Sequence, residues 1–106
     1  MPVRWAHAGK KGQLEVIHSL TSLTSLNLAE NEIASLSPRF FNLTRLEQLD
    51  LAGCGLTKLP MGIGHLTKLR VLRISNNPDL RGFPSDFWTL SSLEELYARY
   101  QLACNA

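Results

Sequence analysis

Cysteine is scarce in this chain: its 106 residues include two, Cys54 and Cys104, placed 50 positions apart. That spacing gives no disulfide framework, and it suits a chain kept in a reducing compartment. Charge of one sign is scarce as well. The net charge of +2 is spread along the sequence without any block of like charges, so neither nucleic acid nor another polyanion is indicated as a partner. Long apolar runs are absent: residues 1–20 interleave charged and polar residues and never offer seven consecutive apolar ones. They therefore read as neither a signal peptide nor a membrane anchor, and the expectation is a cytoplasmic chain without membrane insertion.

Catalytic and ligand-binding constellations are also missing. His7, His18 and His65 are far apart, and neither cysteine has a ligand partner at metal-binding spacing, so no metal site or cofactor is expected. Gly9-Lys10-Lys11-Gly12 lacks the Walker spacing with its Lys-Ser/Thr and reads as a basic turn. Cys104 with His65 as its base would be the one nucleophile pair, but position 65 falls on the return path between strands, far from the strand face. Asn42-Leu43-Thr44 fits the glycosylation acceptor pattern, yet His65-Leu66-Thr67 and Thr89-Leu90-Ser91 show that its Leu-Thr element belongs to a repeat. The expectation is a protein that is not an enzyme.

What the chain has in abundance is leucine at a constant interval. Leu20, Leu43, Leu66 and Leu90 form one row; Leu23, Leu46, Leu69 and Leu93 a second; Leu26, Leu49, Leu72 and Leu96 a third. The period is 23 residues, with one extra residue at Asn77-Pro78-Asp79-Leu80. A proline there, with fixed φ and no N–H, predicts an outward bulge that leaves the core in place. A period of this size means a solenoid in which each unit buries its apolar face against its neighbours.

Within each unit Leu26-x-Leu28, Leu49-x-Leu51 and Leu72-x-Ile74 alternate with period two, which predicts very short strands that pair in parallel from one unit to the next. Leu36, Leu59 and Phe83, then Phe40, Ile63 and Phe87, mark a return path, where Pro38, Pro60 and Pro84 exclude long helices. The fold class is α/β: a solenoid with a parallel sheet on one face and turns and short helical segments on the other.

The pattern L-x-x-L-x-L-x-x-N/C-x-L from about Leu20 to Gln101 resembles the leucine-rich repeat. The tails Leu59-Pro60-x-x-Ile63-x-x-Leu66 and Phe83-Pro84-x-x-Phe87-x-x-Leu90 resemble its 23-residue class, found in intracellular signalling scaffolds and plant-type proteins. The resemblance implies a concave, solvent-facing sheet and a ladder of buried side chains after each strand, here Asn31, Cys54 and Asn77, with Gln101 departing from the pattern. Residues 20–106 form the array, ending in an incomplete unit. Residues 1–19 are either a partial repeat, with Val3 and Trp5 under Leu26 and Leu28 and Ile17 under Phe40, or a tail.

With the core assigned, the exposed strand positions carry the functional expectation. Neighbouring strands lie ~4.8 Å apart, so Asp50 and Arg73 could pair. Arg73, Tyr97, Arg99 and Tyr100 gather guanidinium and aromatic groups, residue types enriched at interface hot spots. Tyr97 and Tyr100 either bind a partner or cap the exposed end of the core. Trp88 reads as half-buried packing or as part of a second contact surface on the back. The leading expectation is a non-catalytic module that binds a protein or peptide through Asp50, Arg73, Tyr97, Arg99 and Tyr100 on its concave face. The alternatives are a fragment of a larger receptor or signalling enzyme whose catalytic part lies elsewhere, and self-association through open repeat ends.

Overall fold

Each Leu-x-Leu unit becomes a three-residue strand. The computed structural model describes residues 2–4 as backbone, and residues 17, 19–33 and 35–98 in full. Its strands are β1 (Pro2–Arg4), β2 (Ser25–Asn27), β3 (Gln48–Asp50), β4 (Val71–Arg73) and β5 (Glu95–Tyr97). They form one parallel sheet in chain order. The register places Val3 beside Leu26, Leu26 beside Leu49, Leu49 beside Leu72, and Leu72 beside Leu96. Hydrogen bonding between turns continues past the strands, from Leu28 N to Asp50 O at 2.8 Å and from Leu51 N to Arg73 O at 2.7 Å.

The core is the stack of leucine rows. Leu23, Leu28, Leu43, Leu46, Leu51, Leu66 and Leu69 are wholly buried. Each such side chain contributes about 1.5–3 kcal/mol of burial, and almost all of it depends on the turn above or below. That dependence shows at the C-terminal edge of the described stack, where Leu96 is 43% exposed although its row partners Leu26, Leu49 and Leu72 are at most 1% exposed.

The return path is made of short 3-10 helices at Pro38–Asn42, Ile63–His65 and Ser85–Thr89. Pro38 occupies the first helical turn, where its missing N–H is harmless, and Pro84 stands at the N-cap. Leu43, Leu66 and Leu90 close the three helices with N–H bonds back to Phe40 O, Ile63 O and Phe87 O. Phe40, Ile63 and Phe87 point into the core. Asp86 ties two of these helices together: its Oδ2 accepts from Gly62 N at 2.8 Å and from Gly64 N at 3.0 Å. Gly64 is required there, because a Cβ would stand 2.6 Å from Thr89 Oγ1 and 2.9 Å from Asp86 O.

The inserted residue behaves as a bulge. Pro78 and Asp79 are exposed, Leu80 returns to the core at 1% exposure, and Arg81 N still reaches Thr57 O in the preceding turn at 2.9 Å. The turn that follows each strand needs a left-handed residue at one repeat position, occupied by Glu30 (φ 65°), Gly53 (φ 65°) and Asn76 (φ 61°). Glycine takes that conformation without strain and asparagine tolerates it, whereas glutamate is held there against its preference.

Candidate functional site

Behind the sheet, three polar residues at one repeat position satisfy the turns. Asn77 is fully buried. Its Nδ2 donates to Ile74 O at 2.8 Å and reaches one turn back to Leu51 O at 3.0 Å. Its Oδ1 accepts from Cys54 N and Leu56 N, both at 3.0 Å. Asn31 donates to Leu28 O at 3.0 Å. Cys54 repeats half of this pattern: its thiol donates to Leu28 O at 3.1 Å. Sulfur is a weak acceptor, and the N–H of Ile33, equivalent to that of Leu56, bonds to the backbone O of Cys54 instead, at 3.0 Å. Burial pushes the Cys54 thiol up to about 11, with backbone hydrogen bonding from Asn31 opposing the shift and the Asp50 and Glu30 carboxylates adding to it. At neutral pH it is a protonated donor, not a nucleophile.

On the exposed side of the strands, Asp50 and Arg73 are register partners but do not pair. Asp50 Oδ1 accepts from Ala52 N at 3.0 Å, as Asn27 Oδ1 accepts from Ala29 N at 2.9 Å, so both side chains are drawn into local turns after their strands. Arg73 swings the other way and lies 5.0 Å above the Tyr97 ring. The Tyr97 hydroxyl donates to Glu95 Oε1 at 2.6 Å, and this bond to the carboxylate raises the phenol above its ordinary range. Arg73, Tyr97 and Glu95 therefore form one connected group at the C-terminal end of the sheet. Arg99 and Tyr100 lie outside the described residues.

The ion pairs among the described residues run along a row that the sequence reading passed over. Arg70 Nη1 stands 3.7 Å from Glu47 Oε1, and Arg70 Nε bonds Glu94 Oε2 at 2.9 Å. Positions 47, 70 and 94 are repeat-equivalent, and their alternating signs were a signal that the rows centred on the strands did not include. A shallow cavity of about 510 Å³ opens at this rim, lined by Glu47, Lys68, Arg70, Ser91, Ser92 and Glu94. Val71, the register partner of the exposed Gln48 and Glu95, is 5% exposed and unavailable for contact.

Trp88 corrects the expectation of half-buried packing. It is 73% exposed, although its ring packs edge-on against Phe87 at 5.0 Å and against Phe83 at 6.0 Å. Phe41, its equivalent two turns earlier, is 2% exposed because the next turn closes over it at Gly62. His65 is exposed on the return path, with Nδ1 3.0 Å from Gly62 O. The basic turn at 9–12, Gln101 and Cys104 lie outside the described residues. Among the described residues no group of three or more His, Cys, Asp or Glu could hold a metal ion, and no helix is long and apolar enough to cross a membrane.

Comparison with known proteins agrees with this geometry. The profile of the leucine-rich repeat region matches residues 5–104. Receptor-like protein 39 of Arabidopsis thaliana is 33% identical over 96 residues, covering 86% of this chain and 11% of that protein. Podocan-like protein 1 of Homo sapiens is 38% identical over 93 residues, covering 85% of this chain and 18% of its own length. The chain thus spans less than a fifth of these relatives. A solved leucine-rich repeat protein of Leptospira interrogans superposes with a TM-score of 0.81 at 28% identity, over 92% of this chain and 24% of its own. Repeat period, sheet register and these matches together place the chain in the leucine-rich repeat family.

Proposed function

We propose that this array is a non-catalytic recognition module that binds a protein or peptide partner through its concave strand face. The observation that carries the reading is the Arg73–Tyr97–Glu95 group: a cation over an aromatic ring, itself hydrogen-bonded to a carboxylate and exposed on the sheet surface. Rigid aromatic and guanidinium groups of this kind supply much of the energy at protein interfaces. Asp50 is the register partner of Arg73, and the proposal includes Arg99 and Tyr100 from their places in the sequence repeat. Tyr97 then acts as an anchor for the partner instead of a lid over Leu96. Cys54, a buried free thiol, fits the reducing cytoplasm as the place of action. The test replaces Arg73, Tyr97 and Tyr100 with Ala and measures capture of binding partners by affinity pull-down, with circular dichroism as the folding control. Loss of capture by a folded variant supports the assignment, and undiminished capture overturns it.

A second reading places this array within a larger receptor or signalling enzyme whose catalytic part lies outside these residues. The small share of its relatives' length that the chain spans favours it. Sequencing the complete reading frame tests it: further domains beyond the repeats support the reading, and a frame confined to these residues refutes it.

A further inference from the structure

The repeat sorts charge between the two halves of each turn. The strand-and-turn segments of the described residues hold Glu30, Glu32, Glu47, Asp50, Asp79 and the Glu94–Glu95 pair, against Arg4, Arg70 and Arg73. Arg70 is engaged by two carboxylates and Arg73 by Tyr97. The return path reverses the sign, with Arg39, Arg45, Lys58, Lys68 and Arg81 all exposed and none in an ion pair among the described residues. Its single carboxylate, Asp86, is turned inward: Oδ2 caps Gly62 N and Gly64 N, and Oδ1 is buried. A chain whose charges look evenly scattered in sequence is therefore basic on its back and acidic on its front.

Two exposed apolar groups share the basic half. Trp88 is 73% exposed and Met61 59%. Ser85 Oγ touches Met61 Sδ at 3.9 Å. Residues 85 and 88 lie three apart in a 3-10 helix, so their side chains are eclipsed on one face, and Met61 and Trp88 share that face. The Trp88 ring is braced by Phe83 and Phe87, so little of its freedom remains to be lost on docking.

The geometry points to the return half of this coil as a docking surface for an anionic lipid bilayer. Arg39, Lys58 and Arg81 are spread over three successive turns, with Lys68 apart from them at the rim cavity, which matches the smeared negative potential of a membrane better than the discrete charges of an acidic peptide. A Lys or Arg near such a surface contributes about 1 kcal/mol, or about fivefold in affinity. Tryptophan settles at headgroup level, where its ring is shielded and its N–H remains wet. The association is peripheral and reversible, and it leaves the strand face free for a protein partner.

The test is co-sedimentation of the full chain with phosphatidylcholine vesicles, with and without phosphatidylserine, at low and high salt. Binding to the phosphatidylserine vesicles alone, weakened by salt, is expected. Lys58→Glu with Arg81→Glu should lower it at least tenfold, and Trp88→Ala should lower it further, with circular dichroism unchanged. Gln48→Glu, which adds charge on the strand face, should leave it unaltered. Equal sedimentation with neutral vesicles, an unaffected double variant, or binding to polyglutamate but not to vesicles would each overturn the assignment.

Discussion

Glu30 lies folded over Gly53. The two occupy the same position in successive repeats, both at φ 65°, and a Cβ added to Gly53 would stand 2.5 Å from Glu30 Oε1. The left-handed turn that suits Gly53 is imposed on Glu30, at a cost of about 1–2 kcal/mol. Glycine loses about 0.5–1 kcal/mol in chain entropy at an ordinary site, so relief of strain wins. Glu30→Gly is expected to raise stability by roughly 0.5–1 kcal/mol. Gly53→Ala is expected to lower it by about 1–2 kcal/mol, since it adds strain and displaces the Glu30 carboxylate. Urea unfolding of the two variants checks both signs, and a destabilised Glu30→Gly would refute the account.

The polar residues behind the sheet should differ in what they contribute. Asn77→Ala strands Cys54 N, Leu56 N and Leu51 O in the interior, and each orphaned group costs about 1–3 kcal/mol; a loss of at least about 3 kcal/mol is expected. Cys54→Ala removes a weak sulfur donor and should cost less, near 1 kcal/mol plus a small cavity term. Equal losses from the two substitutions in the same denaturation series would contradict the hydrogen-bond geometry.

Cys54 also gives the fold an alkaline limit. Its thiol titrates near 9.0 when unfolded and near 11 when folded. A raised value means the folded state favours the protonated thiol, so this stabilisation is complete below pH 9.0 and disappears as the pH rises to about 11. Across that window the loss amounts to about 2–3 kcal/mol. Stability measured from neutral to alkaline pH should fall more steeply in the natural chain than in Cys54→Ala, and parallel curves would argue against it. The same burial predicts slow modification of Cys54 by a thiol reagent at neutral pH unless denaturant is added.

Asp86 joins the last two return-path helices, and its removal tests whether those turns hold each other. Asp86→Ala frees Gly62 N and Gly64 N and should cost about 1–3 kcal/mol. Gly64→Ala should cost at least as much, because Asp86 O is backbone and cannot step aside. Hydrogen exchange should show faster exchange at Gly62 and Gly64 in Asp86→Ala, with protection at Leu28 and Leu51 unchanged; uniform loss of protection would point to a different coupling.

The strands, their register and the leucine core were legible because burial in a solenoid is one-dimensional: a residue 23 positions away is also the neighbour in space. Leu26, Leu49 and Leu72 needed only counting. The same logic placed Leu96 in the core row but could not show that it stays 43% exposed, because its cover would come from a turn beyond. The surface was less legible. Asp50 and Arg73 are adjacent, yet each has another partner, Ala52 N in its own turn for one and the Tyr97 ring on the next strand for the other. The sequence shows which residues are close but not which of several close partners prevails. Charge sorting between front and back was hidden for a related reason, since every 23-residue unit contains both halves and averages them.

The bulge after Asn77 has a practical consequence. Pro78 and Asp79 leave the coil while Leu80 and the Arg81–Thr57 bond restore it immediately afterwards. That corner therefore already absorbs surplus length without changing pitch. It is the natural port for grafting an epitope or fluorescent probe, because additional backbone entering there meets solvent on both sides and leaves neighbouring coils in step.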